Sequence, residues 1–383
     1  PWLAGTALIH SLYVSSRTKA LKSWTILLSI SVFSLSLFGA FIVRSGIIDS
    51  IHSFANDPQR GLYLLGFSAI LVTISLGFYA YRLPVLISTN LVPSKSKEAF
   101  LSINNIIFAT LIFAVFLGVM YPLIFDFMYG ERISVGPPYY NTIFAPLTFL
   151  ASIFLVFSVG SLWKRSSQLF FINSALSASI LLSTLITLYL VSLFNDFNWW
   201  FVGGLFSSFL ILFRYLILII YSFYEGNYFN KASAIAHIGL GLLILATTFN
   251  ASLSYEKVIN IKPGETYTAE AYEFTLINFD LINESNYDSV RAKFSVKDTN
   301  SLNKVFFLYP EKRKYFIRGQ ITSESAIKIT PTKDIYMTLG DQLDNGYWVV
   351  NIQYNYLIRL IWIAAGVMCL GALATFTQSY SKK

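Results

Sequence analysis

The stretch WTILLSISVFSLSLFGAFIV, residues 24–43, decides the class of this protein. It contains no charged side chain and has the length that an α-helix needs to cross the hydrocarbon core of a bilayer. The rest of the chain shares this character, since 55% of its 383 residues are hydrophobic, 17% are aromatic and only 13% are charged. This composition predicts a polytopic membrane protein.

Further apolar segments predict an all-α membrane protein of about nine transmembrane helices. We expect them near residues 1–15, 24–43, 61–81, 105–126, 141–163, 169–194, 199–222, 232–250 and 356–377. Residues 251–354 differ, because they alternate polar and apolar side chains, as in YEFTLINFDLI, and contain turn sequences such as KPGE. The predicted organisation is a transmembrane bundle over 1–250, one β-rich soluble domain inserted over 251–354, and a final helix with a short basic tail over 355–383.

The basic residues predict the orientation in the membrane. One set of alternate connections, with the C-terminal tail, holds Arg17, Lys19, Lys22, Arg82, Lys95, Lys97, Lys164, Arg165, Lys231, Lys382 and Lys383. The other set holds only Arg44, Arg60 and Arg132. By the positive-inside rule the basic set faces the matrix or cytoplasm, which places the β-rich domain on the outer side. The charge of that domain is mixed, so we expect no nucleic-acid partner.

The three histidines are the strongest functional signal in the sequence. His10 and His237 lie inside apolar segments, where an imidazole predicts a ligand, a proton path or a metal site. His10 lies seven residues before Arg17 and His237 six residues after Lys231, which are depths of roughly 10 and 9 Å at 1.5 Å per residue. Two imidazoles at one depth are compatible with a bis-histidine haem b. A histidine that only hydrogen-bonds a neighbouring helix explains each position equally well.

Other polar features of the chain carry less weight. His52 lies in the polar connection RSGIIDSIHSFANDPQRG, where a solvated imidazole is the ordinary interpretation. Arg214 lies within LILFRYLILII, and we expect its side chain to snorkel, with a haem propionate or lipid headgroup as alternative partners. Cys369 is the only cysteine, so the chain has no disulfide framework and no CxxCH motif of its own.

The first 61 residues, PWLAGTALIHSLYVSSRTKALKSWTILLSISVFSLSLFGAFIVRSGIIDSIHSFANDPQRG, resemble a known family. They are similar to the segment after the tryptophan-rich WWD region of CcmF, the haem lyase of the cytochrome c maturation system. The similarity resumes at SAIAHIGLGLLILA, continues through LYPEKRKYF, TSESAIKI and KDIYMTLGD, and ends at IQYNYLIRLIWIAAGVMCLGALA. The resemblance covers nearly the whole chain, as the C-terminal part of a CcmF, and residues 100–230 support it mainly by hydropathy.

This resemblance implies a function and a set of site residues. His10 and His237 fall on the positions of the axial ligands of haem b, and His52 falls on a ligand of the delivered haem, which gives it a catalytic role. The family takes haem from a haem chaperone and joins it to the reduced CxxCH thiols of apocytochrome c, with a thiol-reducing partner and quinol as expected participants. The WWD region is missing here, which predicts a split mitochondrial form with a separate WWD-bearing N-terminal half in the inner membrane. A bacterial plasma membrane is the alternative location.

Two other functions stay open on the sequence alone. The same fold could be a non-catalytic structural subunit of a larger inner-membrane respiratory assembly. A transporter would need inverted repeats and broken helices at corresponding positions, and the sequence shows neither.

Overall fold

The structure is a computed structural model, and it describes residues 1–45, 58–87, 92–131, 133–159, 161, 163–164, 174–194, 198–225, 231–300, 304–317 and 319–380. These residues form nine α-helices. The helices are α1 Trp2–Thr18, α2 Lys22–Ser45, α3 Pro58–Leu86, α4 Lys97–Tyr129, α5 Pro137–Ser158, α6 Ser174–Ser192, α7 Trp199–Glu225, α8 Lys231–Leu253 and α9 Ile358–Tyr380. Ten strands lie between α8 and α9. The predicted fold class, a helical membrane protein with a β-rich domain before its last helix, is confirmed.

Most of the helices meet the requirements of a membrane span. Eight of the nine described helices, α2 to α9, are long and apolar enough to cross a bilayer. The remaining helix, α1, is shorter, at 17 residues. The chain is therefore a multi-pass membrane protein.

The chain divides into two compact units. The first comprises Pro1–Asn195 and Val202–Asn230, and the second comprises Asp196–Phe201 and Lys231–Lys383. In the first unit α1 packs against α2 and α4, α2 packs against α3, and α4 packs against α5. In the second unit α8 and α9 form a helix pair that connects to the strands. The domain limits drawn from the sequence stay predictions.

Helix α4 starts eight residues earlier than the apolar pattern predicts, at Lys97 instead of residue 105. Its first turn is capped, since Ser96 Oγ accepts a hydrogen bond from the backbone nitrogen of Ala99 at 3.2 Å. The charged residues of this turn have partners. Lys97 Nζ lies 5.6 Å from the centre of the Trp163 ring, and Glu98 Oε1 accepts a hydrogen bond from the backbone nitrogen of Lys164 at 2.8 Å. These contacts stabilise a helical turn that apolar length alone does not predict.

The strands of the second unit form two antiparallel sheets. The strands are β1 Tyr255–Ile261, β2 Thr266–Ala269, β3 Tyr272–Asn283, β4 Tyr287–Asp298, β5 Val305–Leu308, β6 Glu311–Tyr315, β7 Ile321–Glu324, β8 Ala326–Ile329, β9 Lys333–Gln342 and β10 Trp348–Tyr356. One sheet has the order β1-β10-β9-β8, and the other has the order β2-β3-β4-β6-β7 with β5 also paired to β4. A β-sandwich results.

The sandwich core follows the alternation of apolar residues in the sequence. Over part of each long strand every second residue is buried between the sheets, as for Phe274 and Leu276 on β3 and Met337 and Leu339 on β9, all of them with no exposed surface. The two sheets are also joined by a hydrogen bond, in which the Tyr354 hydroxyl donates to the carbonyl oxygen of Ala269 at 2.9 Å.

Lys333 holds together the end of the sandwich that lies next to the helix pair. Its ammonium group lies 4.4 Å from the centre of the Tyr354 ring and 5.3 Å from that of Tyr356, and it forms an ion pair with Glu270 at 3.0 Å. Two residues after Tyr356 the chain enters α9. Asn250 of α8 donates to the carbonyl oxygen of Tyr356 at 3.2 Å, so β10 is fixed from both sides where it reaches the membrane.

Candidate functional site

Helix α1 holds His10 beside a narrow buried face. The residues of that face recur every three or four positions, namely Ala4, Ala7, Ser11, Val14 and Thr18. Small side chains allow α2 and α4 to approach closely. At Ser11 the contact is polar, since its hydroxyl lies 2.7 Å from that of Thr25 on α2. His10 is the neighbour of Ser11 in the chain and is half-buried.

The His10 imidazole is held by contacts to two helices. Its Nδ1 lies 2.8 Å from the carbonyl oxygen of Thr6, one turn back on α1. The ring stacks on that of Phe108 of α4, with centroids 6.1 Å apart and planes at 26°. Because a carbonyl oxygen only accepts, Nδ1 donates the proton and Nε2 carries the lone pair. This neutral tautomer is the one that a histidine uses when it binds iron through Nε2.

His237 repeats this arrangement on α8. Its Nδ1 lies 2.7 Å from the carbonyl oxygen of Ser233, again one turn back, and 3.3 Å from the Ser233 hydroxyl. The shorter contact makes Nδ1 the donor and leaves the lone pair on Nε2. His10 and His237 therefore share one backbone-determined tautomer, although they belong to different compact units.

The position of His237 depends on a close contact between α8 and α9. A Cβ added to Gly239 would stand 2.6 Å from Met368 Cγ and 2.8 Å from the Met368 backbone nitrogen. A Cβ added to Gly371 would stand 2.4 Å from the backbone nitrogen of Ala236. Only glycine fits at both positions. The small residues around His237 therefore serve to bring two helices together.

A pair of buried asparagines lies on α4, one turn from Phe108. Asn104 is 6% exposed and Asn105 is 1% exposed. Within the described part of the chain, Asn104 Oδ1 and both Oδ1 and Nδ2 of Asn105 have no hydrogen-bond partner. The helix that we predicted from the length of the apolar segment starts at residue 105, and it therefore places this pair of asparagines at a helix end. The doubled Asn of SINNIIFA is the signal that could have identified it.

Arg214 and His52 are the two remaining residues to which the sequence analysis gave an interpretation. Arg214 of α7 is fully buried, so the interpretation of a snorkelling side chain is wrong. His52 falls in residues 46–57, outside the described residues, and its role as a haem ligand stays a prediction.

A run of three basic residues lies within the β-sandwich. Lys312, Arg313 and Lys314 lie on strand β6. Lys312 forms an ion pair with Asp341. Arg313 Nη2 forms one with Glu311 Oε2 at 3.0 Å. The first two of these basic side chains thus have acidic partners within the sandwich.

Glu311 is the centre of a buried polar network in this domain. Its carboxylate is 5% exposed and accepts a hydrogen bond from the Ser289 hydroxyl at 2.6 Å, and Arg291 lies 3.4 Å away on the other side. Burial raises the pKa of the Glu311 carboxyl, but the hydrogen bonds from Arg313 and Ser289 and the charge of Arg291 outweigh it and leave this pKa below its ordinary value. The carboxylate is therefore held in its ionised form.

Comparison with known proteins gives a family match for the β-sandwich. Residues 252–356 match the family model described as CcmF C-terminal beta-sandwich. This stretch contains all ten strands, and it is therefore similar to the C-terminal sandwich of CcmF.

The whole chain matches the same protein. It is 34% identical to the cytochrome c-type biogenesis protein CcmF of Pseudomonas aeruginosa over its full length, covering 59% of that protein. It is 32% identical to CcmF of Escherichia coli, covering 60% of it. A solved structure titled Cytochrome c Heme Lyase CcmF has the same fold, with a TM-score of 0.76 at 19% identity over 97% of this chain and 58% of that one.

By sequence and by fold, the chain matches the C-terminal part of CcmF, and it spans about 59% of the length of its relatives. The predicted resemblance is confirmed. The roles of His10, His52 and His237 stay predictions. In both His10 and His237 the hydrogen bond of Nδ1 leaves on Nε2 the lone pair with which a histidine binds iron.

Proposed function

We propose that this chain is the C-terminal subunit of a haem lyase that transfers haem from a haem chaperone to the CxxCH thiols of apocytochrome c, and that it holds a haem b through His10 and His237. The observation that carries the proposal is the shared geometry of these residues, in which each Nδ1 donates to the carbonyl oxygen four residues earlier. The similarity of the whole of this chain to 59% of a CcmF supports the proposal.

The chain's own residues would fix both ligands before the cofactor binds. The Thr6 and Ser233 carbonyl groups hold the imidazoles in one tautomer and raise the basicity of Nε2. The Phe108 ring limits rotation of His10. When bound, haem b would supply electrons that keep the delivered haem ferrous, with quinol as the proposed donor.

The reaction proposed for the assembly is addition of a thiol to a vinyl group. A carbon–sulfur bond forms at one vinyl carbon, the thiol proton ends on the other, and no net oxidation occurs. His52 is proposed to bind the iron of the delivered haem, which is the substrate. Holding that substrate still next to the thiols can lower much of the barrier.

We also propose the partners and location. A separate WWD-bearing N-terminal half would complete the haem-transfer site, and a thiol-reducing protein would keep the apocytochrome cysteines reduced. The proposed location is the mitochondrial inner membrane. The CcmF relatives named above are bacterial, which makes a bacterial plasma membrane the alternative.

Spectroscopy of the purified assembly tests this function. We expect the low-spin spectrum of a bis-histidine haem b, its loss in His10→Ala and in His237→Ala, and its retention in His52→Ala. An assembly that folds without haem and does not restore cytochrome c in a deficient strain would instead indicate a structural subunit. Retention of the full spectrum in His10→Ala would contradict the proposed ligand pair.

A further inference from the structure

The side chain of Asn105 is a buried amide for which the described residues provide no partner. It is 1% exposed, and neither its Nδ2 nor its Oδ1 makes a hydrogen bond within the described ranges. Buried polar groups in proteins are nearly always hydrogen-bonded, since burial without a partner is costly. A buried amide of this kind is suited to a polar group that the described residues do not supply.

The position of Asn105 on α4 directs it toward α1 and His10. Leu101, one turn before it, packs in a cluster with Val14 of α1. Phe108, one turn after it, stacks on the His10 ring. Residues at i−4 and i+3 share a helix face with residue i. Asn105 therefore faces α1 between the levels of Val14 and His10.

The neighbouring Asn104 lies between this face of α4 and the face toward α5, since it is one turn from Phe108 and one turn from Phe100. Phe100, four residues before it, contacts the rings of Phe154 and Phe157 on α5. Ala114 and Gly118, further along α4, also meet α5, through Tyr139. Asn104 thus adjoins α5 as well as α1, and only its acceptor Oδ1 is without a partner among the described residues, whereas Asn105 also has the unpartnered donor Nδ2. This difference between adjacent asparagines provides a matched control.

We propose that Asn105 is a haem-positioning residue, whose Nδ2 donates a hydrogen bond to a propionate carboxylate of the haem b that His10 ligates. This inference rests on the proposed function. A propionate is the anionic group that haem b carries, and a buried amide donor bonds a carboxylate more strongly than a neutral acceptor. Because Asn105 lies on the inner side of Phe108 along α4, the propionate edge of the haem would face the basic end of α1.

The experiment compares Asn105→Leu with Asn104→Leu in the complete assembly. Loss of a charge-assisted hydrogen bond predicts about tenfold faster haem release to a scavenging apoprotein in the Asn105 variant. It also predicts a lower haem midpoint potential, because a propionate charge that is less well compensated favours the ferric state. The Asn104 variant should match the wild type in both. Reconstitution with haem dimethyl ester should abolish the difference between wild type and Asn105→Leu.

The outcomes separate this inference from the proposed function. An intact bis-histidine spectrum with unchanged release rate and potential in Asn105→Leu would overturn the role of Asn105 alone. Equal effects of the two leucine variants would also overturn it, since they would indicate general packing. Absence of any haem spectrum in the wild-type assembly would overturn both proposals.

Discussion

Gly239 of α8 lies so close to Met368 of α9 that an added Cβ would stand 2.6 Å from Met368 Cγ. His237 lies two residues before Gly239 on the same helix. The contact that joins the two helices therefore also fixes the height and direction of the proposed haem ligand. A site built on packed helices is held more firmly than one built on a loop.

Gly239→Ala should destabilise the helix pair. The added Cβ would meet the backbone of α9 at 2.8 Å, so the helices must separate, at a cost of about 1–3 kcal/mol. Thermal unfolding of the detergent-solubilised protein, together with its haem content, measures the effect. Gly366→Ala is the control, because nothing lies within 4 Å of a Cβ at that position. Equal stability of the two variants would show that the α8–α9 contact is looser than described.

The helices could be predicted from the sequence because twenty apolar residues in a row leave few alternatives to a membrane span. The first turn of α4 could not be predicted, because Lys97 and Glu98 are stabilised by contacts with Trp163 and Lys164, more than sixty residues away. The same error placed Asn105 at a helix end, so its burial on α4 was missed.

The strands were predicted less completely than the helices. The alternation in β3 and β4 identified two strands, but the pairing of β1 with β10 joins residues nearly a hundred apart in sequence and leaves no local signal. Strand β6 directly follows Pro310, and its pairing with β4 and β7 is a long-range contact that leaves no local signal. The histidines were identified by their rarity. Their tautomer could be determined only from the contacts with Thr6 and Ser233.

Glu311→Gln should destabilise the β-sandwich at neutral pH. The buried carboxylate accepts hydrogen bonds from Ser289 and Arg313, and removing its charge should cost about 1–3 kcal/mol. Hydrogen exchange of peptides covering residues 287–315 in the full chain measures this local stability. Glu284→Gln is the control, because Glu284 is exposed.

The effect of Glu311→Gln should depend on pH in a defined direction. Interactions with Arg313, Ser289 and Arg291 outweigh burial and lower the pKa of the Glu311 carboxyl below its ordinary 4.5. A group whose pKa is lowered by folding stabilises the protein above its unfolded pKa and loses this contribution as pH falls through the folded pKa. The difference between wild type and variant should therefore be constant above pH 4.5 and shrink below it. A difference that grows on acidification would contradict the network.

Lys333→Met should loosen the membrane-proximal end of the sandwich. Burial lowers the pKa of the Lys333 ammonium, but the hydrogen bond to Glu270 and the neighbouring Tyr356 raise it more, so the pKa lies above its ordinary 10.5. Stabilisation by this group is then complete below pH 10.5 and is lost as pH rises through the folded pKa. We expect a loss of about 1–2 kcal/mol at neutral pH, measured by hydrogen exchange of β10. Lys333→Arg, which keeps the charge, should lose less, and equal losses would exclude a role for the cation.

His52→Ala should separate haem delivery from haem b binding. If His52 binds the delivered haem, the variant should keep the haem b spectrum but lower the yield of haem-stained cytochrome c at least about tenfold, since the catalytic geometry loses a ligand. Added imidazole should restore part of the yield. A variant with normal cytochrome c yield would remove His52 from the proposed site.

The most direct test of the account is an electron cryomicroscopy map of the complete assembly. We expect haem density with its iron bound by Nε2 of both His10 and His237, while each Nδ1 still donates to the carbonyl oxygen of Thr6 or Ser233. Iron bound through Nδ1, a haem held by other residues, or a folded assembly with no haem between these two histidines would contradict it.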